Sequence, residues 1–93
     1  MIKLHIFSGF ENPTLAITED MELGHLYSDV FDKQELLAAG AKVGMKSRWL
    51  QSKETGLIHF DLWATPLRKA KELYLTVTDE EFAKAMCERR ESP

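Results

Sequence analysis

Apolar side chains recur along the chain with two periods, and the shorter period predicts strands. Between residues 1 and 7 every second side chain is aliphatic, at Ile2, Leu4 and Ile6. A two-residue period places neighbouring side chains on opposite faces of a strand. Residues 25–31 and 57–63 alternate in the same way, and residues 74–77 are β-branched or aromatic apart from one leucine. We predict four strands there, and residues 48–51 are either a fifth strand or a structured loop.

Capping residues predict a helix after the second strand. Asp32 is followed three positions later by Glu35, an arrangement in which side chains accept hydrogen bonds from the unpaired N–H groups of a first helical turn. Gly44 suits the left-handed conformation that ends many helices. Gly40, inside the helix, lowers helix stability by about 1 kcal/mol relative to alanine. Close packing of the helix on a sheet would offset this loss.

Two more helices follow the later strands. Thr65 and Pro66 predict a helix cap followed by the first helical residue, with the helix running to about Leu73. Thr78 and Glu81 repeat the capping arrangement before a last helix. The order of strands and helices predicts a single α/β domain over residues 1–93: a small mixed sheet of about four to five strands with three helices packed on it, and a frayed tail after residue 88.

Composition narrows the class of protein. Ninety-three residues with 44% hydrophobic content suit one core. The single cysteine, Cys87, cannot form an internal disulfide, and the N-terminus has no secretion-signal pattern, so we expect a cytoplasmic protein. The apolar runs are far shorter than the about 20 residues of a membrane span.

Charge is unevenly distributed along the chain. Residues 42–71 carry seven basic and two acidic side chains, and the rest carries five basic and thirteen acidic ones, giving +5 and −8 within a net charge of −3. The overall acidity argues against extended nucleic acid as a partner. A basic middle suits an anionic ligand of limited size, although solvated surface charges explain the same pattern.

Two histidine and aspartate pairs are candidates for chemistry. His59 and Asp61 share one face of a predicted strand, with α-carbons about 6.5 to 7 Å apart. They could hold a divalent cation or act as proton donor and acceptor, or His59 could simply bond to the backbone near the sheet edge. His25 and Asp29 share a face if their strand is regular, and the four residues together could form a metal site. In open α/β sheets ligands bind beyond the carboxyl ends of strands, where we expect Asp29 and Asp61.

Trp49 and its neighbours suggest a different ligand. The indole of Trp49 could stack on a base, while Arg48 and Arg68 could bind phosphate bidentately, with Gln51 nearby. Trp49 could equally be a core residue with its N–H hydrogen-bonded. Glycine-loop fingerprints of nucleotide-binding folds are absent from the sequence.

Several of these motifs together resemble a known family. The matching residues, in order, are His25-Leu26, Ser28-Asp29, Glu35-Leu36, Gly44, Arg48-Trp49-Leu50-Gln51, His59-Phe60-Asp61-Leu62 and Arg68. They resemble an uncharacterised bacterial and phage family, domain of unknown function 4031, over roughly residues 25–82. This chain departs from the family at Phe7-Ser8-Gly9, where aspartates are usual, and at Leu37, where histidine is common. The resemblance implies the fold, a shared polar pocket and a phage or mobile-element origin, but no reaction.

Three functions are consistent with these features. The leading hypothesis is a small binding protein for an anionic, nucleotide-like molecule or a host factor, with the ligand held by His25, Asp29, Arg48, Trp49, Gln51, His59, Asp61 and Arg68. The second is a metal-dependent phosphoesterase or nuclease, in which His59 and Asp61 are catalytic and bind the ion with His25 or Asp29. The third is a protein-interaction module or inhibitor of a host protein, and self-association is compatible with each.

Overall fold

The described residues form one mixed sheet with helices on both faces. The computed structural model describes residues 1–51 and 56–91, with side chains as far as residue 88. The strands are β1 (Ile2–Phe7), β2 (Leu23–Ser28), β3 (Phe60–Leu62) and β4 (Leu75–Val77), and the helices are α1 (Lys33–Lys42), α2 (Ala64–Leu73) and α3 (Asp79–Glu91). The strand order is β3-β2-β1-β4. The predicted small mixed α/β sheet carrying three helices is confirmed.

Strand directions decide which residues meet at each end of the sheet. β2 is antiparallel to both β1 and β3, whereas β4 is parallel to β1. The carboxyl end of β2 therefore lies at the opposite edge of the sheet from the carboxyl ends of the other three strands.

The larger core lies under α1 and α2. Leu4, Leu26 and Phe60 point from the sheet into this core, where they meet Leu36 of α1 and Leu67 of α2. A smaller core on the other face packs Phe82 and Ala85 of α3 against Tyr27, Val77 and Leu57. The alternating side chains of β1 therefore pack on both faces of the sheet, because helices cover both faces.

Helix α1 begins and ends as its sequence predicts. The Asp32 carboxylate accepts hydrogen bonds from the N–H groups of Gln34 and Glu35. The Glu35 carboxylate accepts from the Ser28 hydroxyl instead of completing the capping box, since Ser28 itself accepts from the Asp32 N–H. Gly44 has a φ of +90°, the left-handed conformation expected after the helix.

Glycine at position 40 lets α1 approach the sheet closely. A β-carbon added at Gly40 would overlap the ring of Phe60, whose side chain is fully buried. The predicted close packing of this glycine on the sheet is confirmed, and it accounts for a residue that is unfavourable in a helix interior.

Several predicted boundaries were wrong. The second strand covers Leu23–Ser28 rather than residues 25–31, because the chain turns after Ser28, where the Phe31 N–H donates to the Ser28 carbonyl. Strand β3 is only Phe60–Leu62. Of the two alternatives for residues 48–51, the structured loop is confirmed: Ser47–Trp49 is a 3-10 turn, and Gln51 makes a single bridge to His59.

Helix α2 begins two residues earlier than predicted, at Ala64 rather than Pro66. Trp63 occupies the N-cap position without a side-chain hydrogen bond, so Thr65 is not the cap. Pro66 still lies in the first turn, where the N–H that proline lacks would have no partner within the helix. None of the helices in the described part of the chain combines the length and the apolar composition that a membrane span requires.

Candidate metal centre

A row of polar side chains crosses the sheet beneath α3. His5 of β1 is paired directly with His25 of β2, and His25 is paired with Asp61 of β3. Residues opposite each other on neighbouring strands project to the same face. His59, two residues before Asp61, reaches the same place from the bridge that its backbone makes with Gln51.

Three potential ligand atoms converge at one end of this row. The Asp61 Oδ1 atom lies 3.4 Å from His59 Nε2 and 3.7 Å from His25 Nε2. One ligand atom from each of the three residues lies within 4.8 Å of the other two. Ligands held at the usual metal–nitrogen distance around a tetrahedral zinc ion are about 3.4 Å apart. The arrangement therefore needs only small side-chain movements to enclose a metal ion.

Hydrogen bonding fixes which nitrogen of His59 faces the cluster. His59 Nδ1 lies 2.8 Å from the Leu57 carbonyl oxygen, which can only accept, so this nitrogen carries a hydrogen. In the neutral imidazole the lone pair then belongs to Nε2, the atom beside Asp61. Metal-bound histidines commonly donate their second N–H to such a backbone oxygen.

His25 also has a partner for its second nitrogen. Its Nδ1 lies 3.1 Å from Nδ1 of His5, and Nε2 of His5 lies 2.6 Å from a carboxylate oxygen of Asp79. Asp79 is the first residue of α3, so the start of this helix is tied to the row on the sheet.

Gln51 orients the carboxylate of the cluster. Its side-chain amide hydrogen-bonds Asp61, and its backbone exchanges two hydrogen bonds of 2.9 Å with His59. Gln51 thus contacts two of the three candidate ligands, although it is itself exposed.

Burial and charge shift the pKa values of the three groups differently. Burial, reinforced by the nearby His59, lowers the pKa of His25 to about 4. Burial alone would lower the pKa of His59, but the contacts with Asp61 and with the Leu57 carbonyl outweigh it and raise the pKa above 6.5. Burial alone would raise the pKa of Asp61, but His59, His25 and Gln51 hold it below 3.8. A proton on His59 and a metal ion would compete for the same site.

Aromatic rings enclose the histidines and leave access at Asp61. The rings of Phe7 and Phe82 stack on His25 with centroids 4.3 and 4.6 Å away. His59 is 8% exposed, whereas the Asp61 side chain is 34% exposed. A water molecule or small ligand would therefore approach from the Asp61 side.

The predicted site residues divide into two groups. His25, Gln51, His59 and Asp61 come together, as the shared-pocket hypothesis requires. Asp29 does not join them: it follows the carboxyl end of β2, about 13 Å along the strand from His25, and pairs with Lys3. The four-ligand metal site and the expectation that Asp29 and Asp61 lie at one edge were wrong, because β2 runs opposite to β3.

The phosphate-binding residues of the leading hypothesis are also separated. Arg68 belongs to α2, which packs on the opposite face of the sheet from the histidines, and it lines a shallow cavity of about 290 Å³ with Glu22 and Lys71. Trp49 is 42% exposed and is therefore not a core anchor. The cationic groups of Lys46 and Arg48 lie 5.5 and 5.9 Å from its ring centroid. Arg48 and Trp49 thus form a surface patch of their own, joined to the centre through Gln51.

Sequence reasoning did not select His5, Asp79 or Phe82 as site residues. The two-residue period of β1 puts His5 on the same face as Lys3, and nothing local distinguishes the two residues. The pairing of His5 with His25 depends on the register of two antiparallel strands, which the sequence does not state. Asp79 and Phe82 reach the row because α3 folds back across the sheet.

No family model, curated protein or solved structure matches the chain. The resemblance to the uncharacterised family remains a prediction.

Proposed function

We propose that the protein binds a divalent transition-metal ion through His25, His59 and Asp61 and uses it to hydrolyse a phosphate ester. The observation that carries this proposal is the convergence of one ligand atom from each of two imidazoles and one carboxylate, all within 4.8 Å of one another. Imidazole ligands suit zinc and its neighbours, whereas calcium and magnesium prefer oxygen.

The ligand number favours a catalytic rather than a structural role. Structural zinc sites are usually closed by four protein ligands, and catalytic sites have three. A metal ion with an open position activates water and polarises a phosphoryl oxygen. The partly exposed Asp61 gives substrate a route to this position.

The choice of a phosphate ester comes from the neighbouring charges. Lys46 and Arg48 flank the exposed Trp49, and Gln51, two residues further on, contacts Asp61. Cationic groups in the segment that leads to Gln51 favour an anionic substrate, and an exposed indole favours one with an aromatic or apolar leaving group.

Metal binding is tested first. Purified protein, stripped with a chelator, is titrated with cobalt(II) and zinc(II) and followed by absorption spectroscopy and calorimetry. We expect one ion per chain, and loss of binding in His59→Ala and Asp61→Asn. Asp29→Asn is the matched control, since it removes a carboxylate that lies outside the centre and should bind normally. Absence of stoichiometric binding, or equal binding by Asp61→Asn, would remove the basis of the proposal.

Hydrolysis is tested separately on the metal-loaded protein. We expect cleavage of bis(p-nitrophenyl) phosphate that requires the metal and is lost in His59→Ala. Metal binding without turnover of this or related esters would reject the enzymatic part and leave a metal-binding protein.

A second candidate function follows from the surface patch at Trp49. An exposed indole with two cations beside it supports binding of an anionic, nucleotide-like molecule without hydrolysis. Calorimetry against a nucleotide panel should then show binding that Trp49→Ala abolishes. Arg68→Ala, in the cavity lined by Glu22 and Lys71, should not abolish it. If neither metal nor nucleotide binds, the remaining prediction is a module that recognises a host protein.

A further inference from the structure

His25 is the first member of a hydrogen-bonded chain that ends on a carboxylate. His25 Nδ1 contacts His5 Nδ1 at 3.1 Å, and His5 Nε2 contacts Asp79 Oδ1 at 2.6 Å. His5 is buried, and its ring stacks on Phe82 with centroids 4.3 Å apart. The imidazole of His5 is therefore held between two partners and has little freedom to turn.

The directions of these hydrogen bonds follow from what each atom can do. The Asp79 carboxylate accepts, so the hydrogen of neutral His5 is on Nε2. Nδ1 of His5 then has a lone pair and accepts, so the hydrogen of His25 is on Nδ1. This leaves the lone pair of His25 on Nε2, the atom that lies 3.7 Å from Asp61.

We infer that His5 and Asp79 are positioning residues that hold His25 in its Nδ1–H tautomer, so that Nε2 is free to bind metal. The expected effect of these two residues on metal affinity rests on the proposed function. Outer partners of this kind orient a ligand and contribute 10–100-fold to metal affinity. His5 carries most of this role, because Asp79 is 91% exposed and water can replace its carboxylate.

Two substitutions at His5 separate hydrogen bonding from packing. His5→Phe keeps an aromatic ring between Phe82 and Phe7 but removes the acceptor for His25. His5→Asn loses the ring but can place an oxygen near the position of Nδ1. We expect cobalt(II) affinity to fall by about 10–100-fold in His5→Phe and to recover in part in His5→Asn. Asp79→Asn should have a smaller effect than His5→Phe.

The tautomer itself is read by long-range nitrogen-15 NMR of the imidazole rings in the metal-free protein at pH 7.5. In the wild type, His25 should show a protonated Nδ1 and an unprotonated Nε2, and His5→Phe should shift the hydrogen towards Nε2. Urea unfolding of each variant confirms that it is folded at the NMR temperature.

The outcomes distinguish this inference from the proposed function. A wild-type His25 with its hydrogen on Nε2, or unchanged cobalt affinity in His5→Phe, would overturn the positioning role of His5 and Asp79. A second outcome is that the wild type binds no metal, while His25 has the Nδ1–H tautomer in the wild type and loses it in His5→Phe. This result would reject the metal centre and support the positioning role of His5 and Asp79.

Discussion

Acidification should destabilise the metal-free protein through His25. The pKa of this histidine is lowered from 6.5 to about 4 in the folded protein, chiefly by burial. Between these values the unfolded chain takes up a proton that the folded protein does not accept. Stability is therefore lost as the pH falls through 6.5, and the loss is complete below pH 4.

The size of the effect follows from the difference between the two pKa values. One pKa unit corresponds to about 1.4 kcal/mol, so the complete loss at low pH is about 3 kcal/mol. Between pH 7.5 and pH 5, the same linkage removes about 2 kcal/mol from the free energy of unfolding. A domain of this size has only about 5–10 kcal/mol in total, so the change is readily measured.

The neighbouring groups contribute with their own signs. The pKa of His59 is raised in the folded protein, so its contribution is present at low pH and is lost as the pH rises through its folded value. The pKa of Asp61 is lowered from 3.8, so its contribution is present at higher pH and is lost only in more acidic solution. His59 therefore opposes His25 near neutrality, and a variant is needed to isolate His25.

His25→Asn supplies that comparison. The amide can still donate towards His5 but does not titrate. Urea unfolding is measured for both proteins at pH 7.5 and pH 5 in the presence of a chelator. The wild type should lose about 2 kcal/mol more than His25→Asn over this interval. Equal losses in the two proteins would refute the burial argument for His25.

Three further predictions concern the scaffold. Gly40→Ala should lower the free energy of unfolding by about 1–3 kcal/mol in urea, because the added methyl group meets Phe60; a gain in stability would show that the helix–sheet contact is looser. Asp32→Ala should cost about 1 kcal/mol in thermal unfolding through loss of the α1 cap, and Asp32→Ser should recover most of it. Arg68→Gln should leave cobalt affinity unchanged, since α2 is on the other face of the sheet, and a severalfold loss would contradict that placement.

Local signals in the sequence were sufficient for the class of fold. The two-residue period of β1, the Asp32 cap and the left-handed Gly44 each depend on interactions within a few residues, and each is confirmed. The limits of β2 and β3 were wrong because a strand ends where its partner ends. Pairing partners come from distant parts of the chain, so a periodic pattern alone does not fix strand length.

Only the part of the candidate site that lies within one strand segment could be predicted from the sequence. His59 and Asp61 are two residues apart and were expected on one face of a strand. In the structure, His59 Nε2 lies 3.4 Å from Asp61 Oδ1. The inclusion of His25 and the exclusion of Asp29 both depend on the direction and register of β2. A one-residue change of register would move His25 to the opposite face.

The row of polar side chains across the sheet costs desolvation free energy, which is a large cost for so small a sheet. This cost bears on the proposed function. Its histidines lie on the face of the smaller core, where Phe82 of α3 stacks on both His5 and His25. Aliphatic side chains there would avoid the desolvation that lowers the pKa of His25. A metal ion that binds only the folded protein would stabilise it by about 4 kcal/mol at a thousand times its dissociation constant, more than the loss expected from His25 alone. On the proposed function, the metal-loaded protein should therefore be more stable than the metal-free protein at pH 7.5. It should also lose more stability on mild acidification, because His59 bound to metal cannot take up the proton that stabilises the metal-free folded protein.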